Sequence, residues 1–423
     1  MKSKSLLYIS YYFPPIKSIA VKRNFYFATG LSSYFEKVHV LTTSNNGLLE
    51  TETMPLETVE VTSLTTFDYR TIAAKFRKRK DTHFSEDKKS GRLTRFLIRL
   101  NESFPFNLLL GEGGMLYIIN GYRRGKKILQ PQEEKYIITS YRPFANVFIG
   151  YLLKLKYPAT KWTVSFHDFP IDRIRRNTVF TSLQKWIWQK MLRKSDHAIV
   201  VSDGLGNHIK TLQCDATTIL NGVSTRKPDE LKNKKFTISY TGSLYRNLSQ
   251  PQLLFQSIQN LIASNRIPSD DIVIVYAGKD FAYWSKLGEE FALGDNLIDC
   301  GLVSNIEAKK IQDHANINLL LTWANTEQSG ILTGKFYEYL GSSNPILALI
   351  NGVMDVELST IFDETGCGLV ISSVDSGAAS KTQSFIYSNY LNWKNNTPTK
   401  YSLPLDHLSW DARVEQLAHL IIT

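Results

Sequence analysis

Ser329-Gly330-Ile331-Leu332-Thr333-Gly334-Lys335-Phe336-Tyr337-Glu338-Tyr339-Leu340-Gly341, with Asn344-Pro345-Ile346 close behind, is the stretch on which the fold turns. Before it, residues 317–322 are nearly continuous in apolar side chains, as a strand buried on both faces should be. A glycine-bearing turn then leads into a short helix, and Pro345 opens a further apolar run. Strand, turn, helix, strand is the repeating unit of a parallel sheet. Amides at the start of such a helix can hold a phosphate. Lys335 and Glu338 stand three apart, on one helical face; an ordinary Glu–Lys helix pair is the plain alternative.

The same unit recurs outward in both directions. Strands are expected at 6–10, 37–42, 59–64, 136–140, 162–166, 197–202 and 217–220, then at 236–241, 272–277, 297–300, 317–322, 345–350 and 368–372. Helices are expected at 21–34, 145–155, 183–192, 251–263, 306–315 and 333–340. This alternation predicts an α/β fold of parallel sheets covered by helices. It breaks once, at the polar, charged stretch 225–235. A boundary there gives domains at 1–228 and 236–405, with a closing segment at 406–423. The 423 residues suit two or three domains.

Charge supports the division. The net charge of +11 is the sum of +16 over residues 1–230 and −5 over residues 231–423. Such a basic first half suggests an anionic partner. Residues 70–99 alone carry 11 basic and 3 acidic side chains. They read as an insertion, extending to about 110, and equally as a solvated loop or as a surface that meets anionic lipid. Residues 93–110 mix aromatic and aliphatic side chains with Arg95 and Arg99. An interfacial helix fits that composition, but a core helix is preferred for most of it.

Composition excludes several classes. Hydrophobic residues at 43% and charged residues at 21% rule out disorder as the main state. Cys214, Cys300 and Cys367 are odd in number and far apart, so they announce neither a disulfide framework nor a zinc site. The longest apolar run, 147–155, is half a membrane span. The apolar segment 6–10 is too short for a signal peptide. A cytoplasmic chain, free or held on a membrane surface, is expected. No GxGxxG follows a strand, and 330–335 (GILTGK) has the wrong spacing for a P-loop. HExxH, GxSxG and Asp-x-Asp are absent, as is any groove-reading DNA motif.

Ligands of open α/β sheets bind beyond the carboxyl ends of the strands. The residues there are Ser10-Tyr11-Tyr12-Phe13-Pro14-Pro15, leading to Arg23 on a helix, then His167-Asp168, Thr241-Gly242-Ser243-Leu244, and the opening stretch itself. Each has a plain structural reading. A lone histidine is more often structural, and Arg246 can be a surface arginine.

In order and spacing these elements resemble family 4 glycosyltransferases of the GT-B fold. The resemblance spans nearly the whole chain and is weakest over residues 70–132. It implies two Rossmann-like domains whose sheets face across a cleft, with a C-terminal helix crossing back. It implies a hexosyltransferase moving a sugar from a nucleotide-diphosphate sugar to a glycan or lipid-linked acceptor in cell-surface polysaccharide synthesis, with retention and without metal. The nucleotide sugar is a substrate, so no resident cofactor is expected.

Carried over position by position, the resemblance implies catalytic roles for His167, Asp168, Arg246, Lys335 and Glu338. The donor would meet Gly242, Ser243, Lys279, Gly301, Val303, Gly330, Leu332, Thr333 and Gly334. The acceptor would meet Ser18 and Arg23. Three departures stand out: the usual Gly-Gly is replaced within residues 16–20, the usual Arg after Gly242 is Ser243, and the usual first glutamate is Gly330. Glu327 is the nearest carboxylate to substitute for it. Two other readings stay open: an inactive homologue that assists assembly at a membrane, and another nucleotide-sugar enzyme such as an epimerase. The sugar, base, acceptor and oligomeric state are not legible.

Overall fold

Thirteen parallel strands in two sheets organise the described residues of a computed structural model. It describes residues 4–16, 19–45, 51, 54–69, 96, 99–129, 134–172, 177–226, 233–245, 247–326, 329–397, 399 and 405–423. The chain divides into two compact units, Met1–Leu220 with Trp410–Thr423, and Asn221–Ser409. This division falls before the polar stretch 225–235. Arg226 shows why: its guanidinium binds both oxygens of Asp313 at 2.7 and 3.1 Å and also donates to Gln312. That ties the segment to the second unit.

In the first unit the strands are β1 (Lys4–Ile9), β2 (Lys37–Thr43), β3 (Glu60–Leu64), β4 (Glu134–Tyr141), β5 (Lys161–Phe166), β6 (His197–Val200) and β7 (Thr217–Thr218). Their order is β3-β2-β1-β4-β5-β6-β7. The helices are α1 (Ile19–Gly30), α2 (Phe106–Leu109), α3 (Gly114–Ile128), α4 (Phe144–Lys156), α5 (Thr181–Leu192) and α6 (Asp203–Lys210). Alternate residues of β1 serve opposite faces, as strand geometry requires. Leu7 and Ile9 pack with Tyr117, Val147 and Trp188. Leu6 and Tyr8 pack with Phe27 of α1 and with Val414 and Leu417 of the last helix.

In the second unit the strands are β8 (Phe236–Thr241), β9 (Ile272–Ala277), β10 (Leu297–Asp299), β11 (Ile317–Ala324), β12 (Ile346–Gly352) and β13 (Gly368–Ser372), in the order β10-β9-β8-β11-β12-β13. The helices are α7 (Gln252–Ala263), α8 (Phe281–Glu289), α9 (Asn305–His314), α10 (Gly334–Leu340), α11 (Val356–Thr365) and α12 (Ala378–Lys394). The last helix, α13 (Trp410–Ile422), belongs to the first unit.

Both sheets reverse their strand order, at β1/β4 and at β8/β11. The chain leaves these two strands in opposite directions, so a crevice opens beyond their carboxyl ends. The second sheet shows this directly. β8 and β11 pair only at Ile238–Ile317 and Ser239–Asn318, although both strands run further.

The described part of residues 93–110 corrects the core-helix preference. α2 is a single turn that buries Asn107, while Phe106, Leu109 and Leu110 are exposed. Residues 70–95 lie outside the described residues.

Candidate functional site

β8 has the sequence Phe-Thr-Ile-Ser-Tyr-Thr, fully buried. Its aromatic and aliphatic residues enter the apolar core, and its hydroxyl residues face a polar network. Ser239 Oγ donates to Asn318 Oδ1 at 2.7 Å, and Thr241 Oγ1 accepts from Gln312 Nε2 at 2.9 Å. Burying this many polar groups is tolerable because they satisfy one another. The network holds the carboxyl end of β8 against α9 and α10.

Gly242 follows at φ +114°, in the region that favours glycine. A β-carbon there would lie 2.5 Å from Cε and 2.7 Å from Nζ of Lys335. The backbone calls for glycine, and a β-carbon would displace the end of the lysine from this position. Lys335 Nζ donates to Tyr240 Oη at 2.8 Å and to the Ser243 carbonyl at 3.3 Å, and lies 4.3 Å from the Tyr240 ring centre. Burial pulls its pKa down to about 8, with Glu338 and Asp280 opposing the fall. The result is a cation held against bare backbone at a switch point.

The turns at 242 and 278 touch. A β-carbon on Gly278 would fall 2.4 Å from the Gly242 carbonyl oxygen. Tyr276 Oη donates to that oxygen at 3.2 Å, and Asp280 Oδ2 accepts from the Leu244 amide at 3.0 Å. Ser243 and Lys279 are exposed beside these turns. Gly301, at φ +64°, donates its amide to Asp299 Oδ1 at 2.7 Å, and Val303 is half-buried just beyond.

A residue not expected from the sequence, Asp355, fixes the loop before α10. Its buried carboxylate accepts from the Gly330 amide at 2.7 Å and the Ile331 amide at 3.4 Å through one oxygen. The other oxygen caps α11 by accepting from Leu358 at 3.2 Å. Gly330 has φ +70°, so glycine at this place answers a backbone need. Leu332 is buried, and Thr333 stands at the N-cap of α10, ahead of Gly334. The Thr333 hydroxyl is buried without a hydrogen-bond partner among the described residues. Glu338 accepts from Gln312 Nε2 at 3.4 Å, and Gln312 is oriented in turn by Arg226.

The first unit carries its own cluster beyond β1, β4 and β5. Tyr11 donates to Asp68 at 3.2 Å and Tyr12 to Glu112 at 2.7 Å. Arg142 pairs with Glu102 at 2.7 Å, and both side chains are about 30% exposed (31% and 30%). Burial works against the charge on Arg142, but Glu112, Glu102 and Asp168 overcome it and hold the guanidinium protonated. His167 donates its amide to the Tyr141 carbonyl at 3.4 Å. Burial depresses its imidazole to about 3, helped by Arg23 and Arg142, so it is neutral at pH 7. Arg23 is 3% exposed, donates to the Leu220 carbonyl at 3.2 Å and lies 4.4 Å from the Phe27 ring centre. Arg142, Glu102 and Glu112 were not expected; an arginine at a strand end before Pro143 was the available signal.

The structure thus brings Gly242, Ser243 and Lys335 together in the second unit, and links Glu338 to them through Gln312 and Thr241. His167 and Asp168 follow β5 in the first unit. Ser18, Arg246 and Glu327 lie outside the described residues.

No protein-family model and no curated protein matches the chain. Solved structures do. Sucrose-phosphate synthase from Thermosynechococcus elongatus is similar with a TM-score of 0.62 at 13% identity, over 99% of this chain and 98% of that one. A glycosyltransferase from Rickettsia africae is similar with a TM-score of 0.56 at 12% identity, over 100% of both chains. WaaG, a glycosyltransferase involved in lipopolysaccharide biosynthesis, is similar with a TM-score of 0.51 at 10% identity, over 98% and 99%. At such identities the likeness is one of fold: the chain has the α/β architecture of GT-B proteins, with two doubly wound parallel sheets.

Proposed function

We propose that the chain is a glycosyltransferase that moves a sugar from a nucleoside-diphosphate sugar to a glycan or lipid-linked saccharide acceptor. The observation that carries this reading is the Lys335–Gly242 contact. A cation held against side-chain-free backbone, at the switch point of a doubly wound sheet, suits a diphosphate. Departure of the donor builds negative charge on that diphosphate, and a pre-placed cation lowers the barrier. Lys335 supplies it, joined by Arg246. The Thr333 hydroxyl offers a further hydrogen bond. Glu338, oriented by Gln312, takes the ribose hydroxyls through charge-assisted bonds. His167 and Asp168 meet the donor sugar, with the neutral imidazole acting by hydrogen bonds rather than as an acid.

On the acceptor side Ser18 was expected together with Arg23. Arg142 is better placed than Arg23, being partly open to solvent where Arg23 is buried. Retention of configuration, transfer without metal, membership of family 4, cell-surface polysaccharide synthesis and work at the inner face of the plasma membrane, with residues 70–99 on anionic lipid, complete the proposal.

A ligand that binds only the folded chain raises its melting temperature. UDP, GDP, ADP, CMP and their sugars are therefore to be screened by thermal shift. One base class should stabilise the chain selectively, and Lys335→Ala should abolish both that shift and sugar transfer without lowering the unliganded stability. No shift with any nucleotide, or full turnover by Lys335→Ala, defeats the reading. Gly330 in place of the usual glutamate motivates the second reading, an inactive homologue. Selective donor binding without hydrolysis or transfer to any acceptor is its signature.

A further inference from the structure

We propose that the second unit carries a saccharide site apart from the diphosphate site, which takes a single neutral sugar ring. This goes beyond the sugar-transfer reading and stands independently of it. The site is a cavity of about 180 Å³ between the start of α7 and the carboxyl ends of β12 and β13. Leu349 and Ile371, paired across the two strands and buried, form its apolar floor. Asn351 and Ser373, each two residues further along, line it above that floor. Gln252 and Gln256, one helical turn apart on α7, supply the facing wall.

The polar groups here ask for a ligand that donates hydrogen bonds. Gln252 Oε1 is buried without a hydrogen-bond partner among the described residues. A buried acceptor in that state is destabilising, and a ligand that donates to it removes the penalty. Asn351 donates through Nδ2 to the Asn247 carbonyl at 3.1 Å, which leaves its Oδ1 to accept. Ser373 Oγ accepts from the Gly352 amide at 3.0 Å and keeps its own proton to give. The cavity thus offers two amide oxygens and a hydroxyl proton over an apolar floor.

Other ligand classes fail on these grounds. Phosphate and carboxylate have no hydrogen to offer Gln252, and no Lys or Arg among the described residues lines the cavity to receive their charge. An ammonium group would donate, but no carboxylate among the described residues lines the cavity either, and an unpaired charge is costly to enclose. A sugar hydroxyl both donates and accepts, and the C–H face of the ring suits Leu349 and Ile371. Size agrees. The cavity is far larger than one water needs and smaller than the roughly 300–1,000 Å³ of whole-ligand pockets, which suits one ring. Its place agrees as well. It opens between β12 and the edge strand β13, not at the β8/β11 switch point, and neither Gly242, Thr333, Lys335 nor Glu338 lines it.

The test is NMR of the full chain with labelled leucine and isoleucine methyl groups, titrated with the methyl glycosides of glucose, galactose, mannose and N-acetylglucosamine. At least one should bind saturably in the millimolar range and move the signals of Leu253, Leu349 and Ile371. Gln252→Met keeps the length of the side chain and removes the acceptor. It should weaken that binding about fivefold, the loss expected for one hydrogen bond, without lowering the melting temperature. Ser373→Ala should weaken it as well. Lys335→Ala should bind the glycoside as the wild type does even where it no longer responds to nucleotide, so this site and the sugar-transfer reading fail separately. Methyl glucuronide and adenosine should leave the three signals in place. Four results overturn the proposal. No glycoside moves these signals at tens of millimolar; Gln252→Met and Ser373→Ala, both folded, bind as the wild type does; Lys335→Ala abolishes the binding, which assigns it to the diphosphate site; or the glucuronide or adenosine occupies the cavity instead.

Discussion

At the scale of single residues, Lys335 has two pH dependences of opposite sign. In the unfolded chain it keeps its ordinary pKa near 10.5, while in the fold burial lowers it to about 8. Between these values the unfolded state binds more protons, so the free protein gains stability as pH rises through this window. The nucleotide-sugar phosphates are already ionised, and loss of the lysine charge weakens their binding over the same window. Calorimetry should therefore show donor affinity level below pH 7.5 and falling above about 8, while the unliganded melting temperature gains a rising contribution. Lys335→Arg, which stays charged, should flatten the affinity profile. Affinity unchanged up to pH 9.5 in the wild type is the contrary result. Lys335 and Gly242 were each legible in the sequence as separate motifs. Their contact was not, because it depends on which strand ends the sheet order brings together.

At the scale of elements, Asp355 couples a loop to a helix. Its substitution by alanine removes the α11 cap, worth about 1 kcal/mol, and frees the amides of Gly330 and Ile331. Urea unfolding should show that loss, and donor affinity should drop about tenfold because the loop before Lys335 is no longer pinned. A stability loss with unchanged affinity would confine Asp355 to capping. The strands were legible because buried parallel strands are continuous in Val, Ile and Leu, as residues 317–322 show. α3 was not, because its glycines read as helix breakers. They are there for packing: β-carbons on Gly121 and Gly125 would fall 2.6 Å from Ile149 and from Leu153 of α4. Asp355 itself carried a legible signal, an aspartate directly before the Val-Glu-Leu start of a helix.

At the scale of the whole molecule, the net charge of +11 is an average of two unlike parts. The basic part includes Arg123, Arg124 and Lys127 of α3, whereas the proposed diphosphate site sits in the acidic part and relies on placed residues rather than bulk charge. The first unit is also closed by distant sequence. Trp410 stacks on Tyr26 at 4.6 Å, and Gly30 lies so close to Val414 that a β-carbon would approach it to 2.6 Å. A chain ending at Ser409 should therefore lose protection at α1. Hydrogen exchange should quicken across residues 19–30 and stay unchanged across α7. Equal protection of α1 in both chains would mean that α13 adds nothing to the unit.

That closure sets an order of manufacture. A ribosome that has finished Leu220 has made nearly all of the first unit, yet must still make residues 221–409 before the piece that covers α1 can emerge. At 5–20 residues per second the wait is roughly 10 to 40 s. Through that interval the nascent chain offers Tyr26 and Phe27 to whatever is nearby, and the second unit can fold first. A chaperone that holds the nascent chain during synthesis would have α1 open to it throughout that interval.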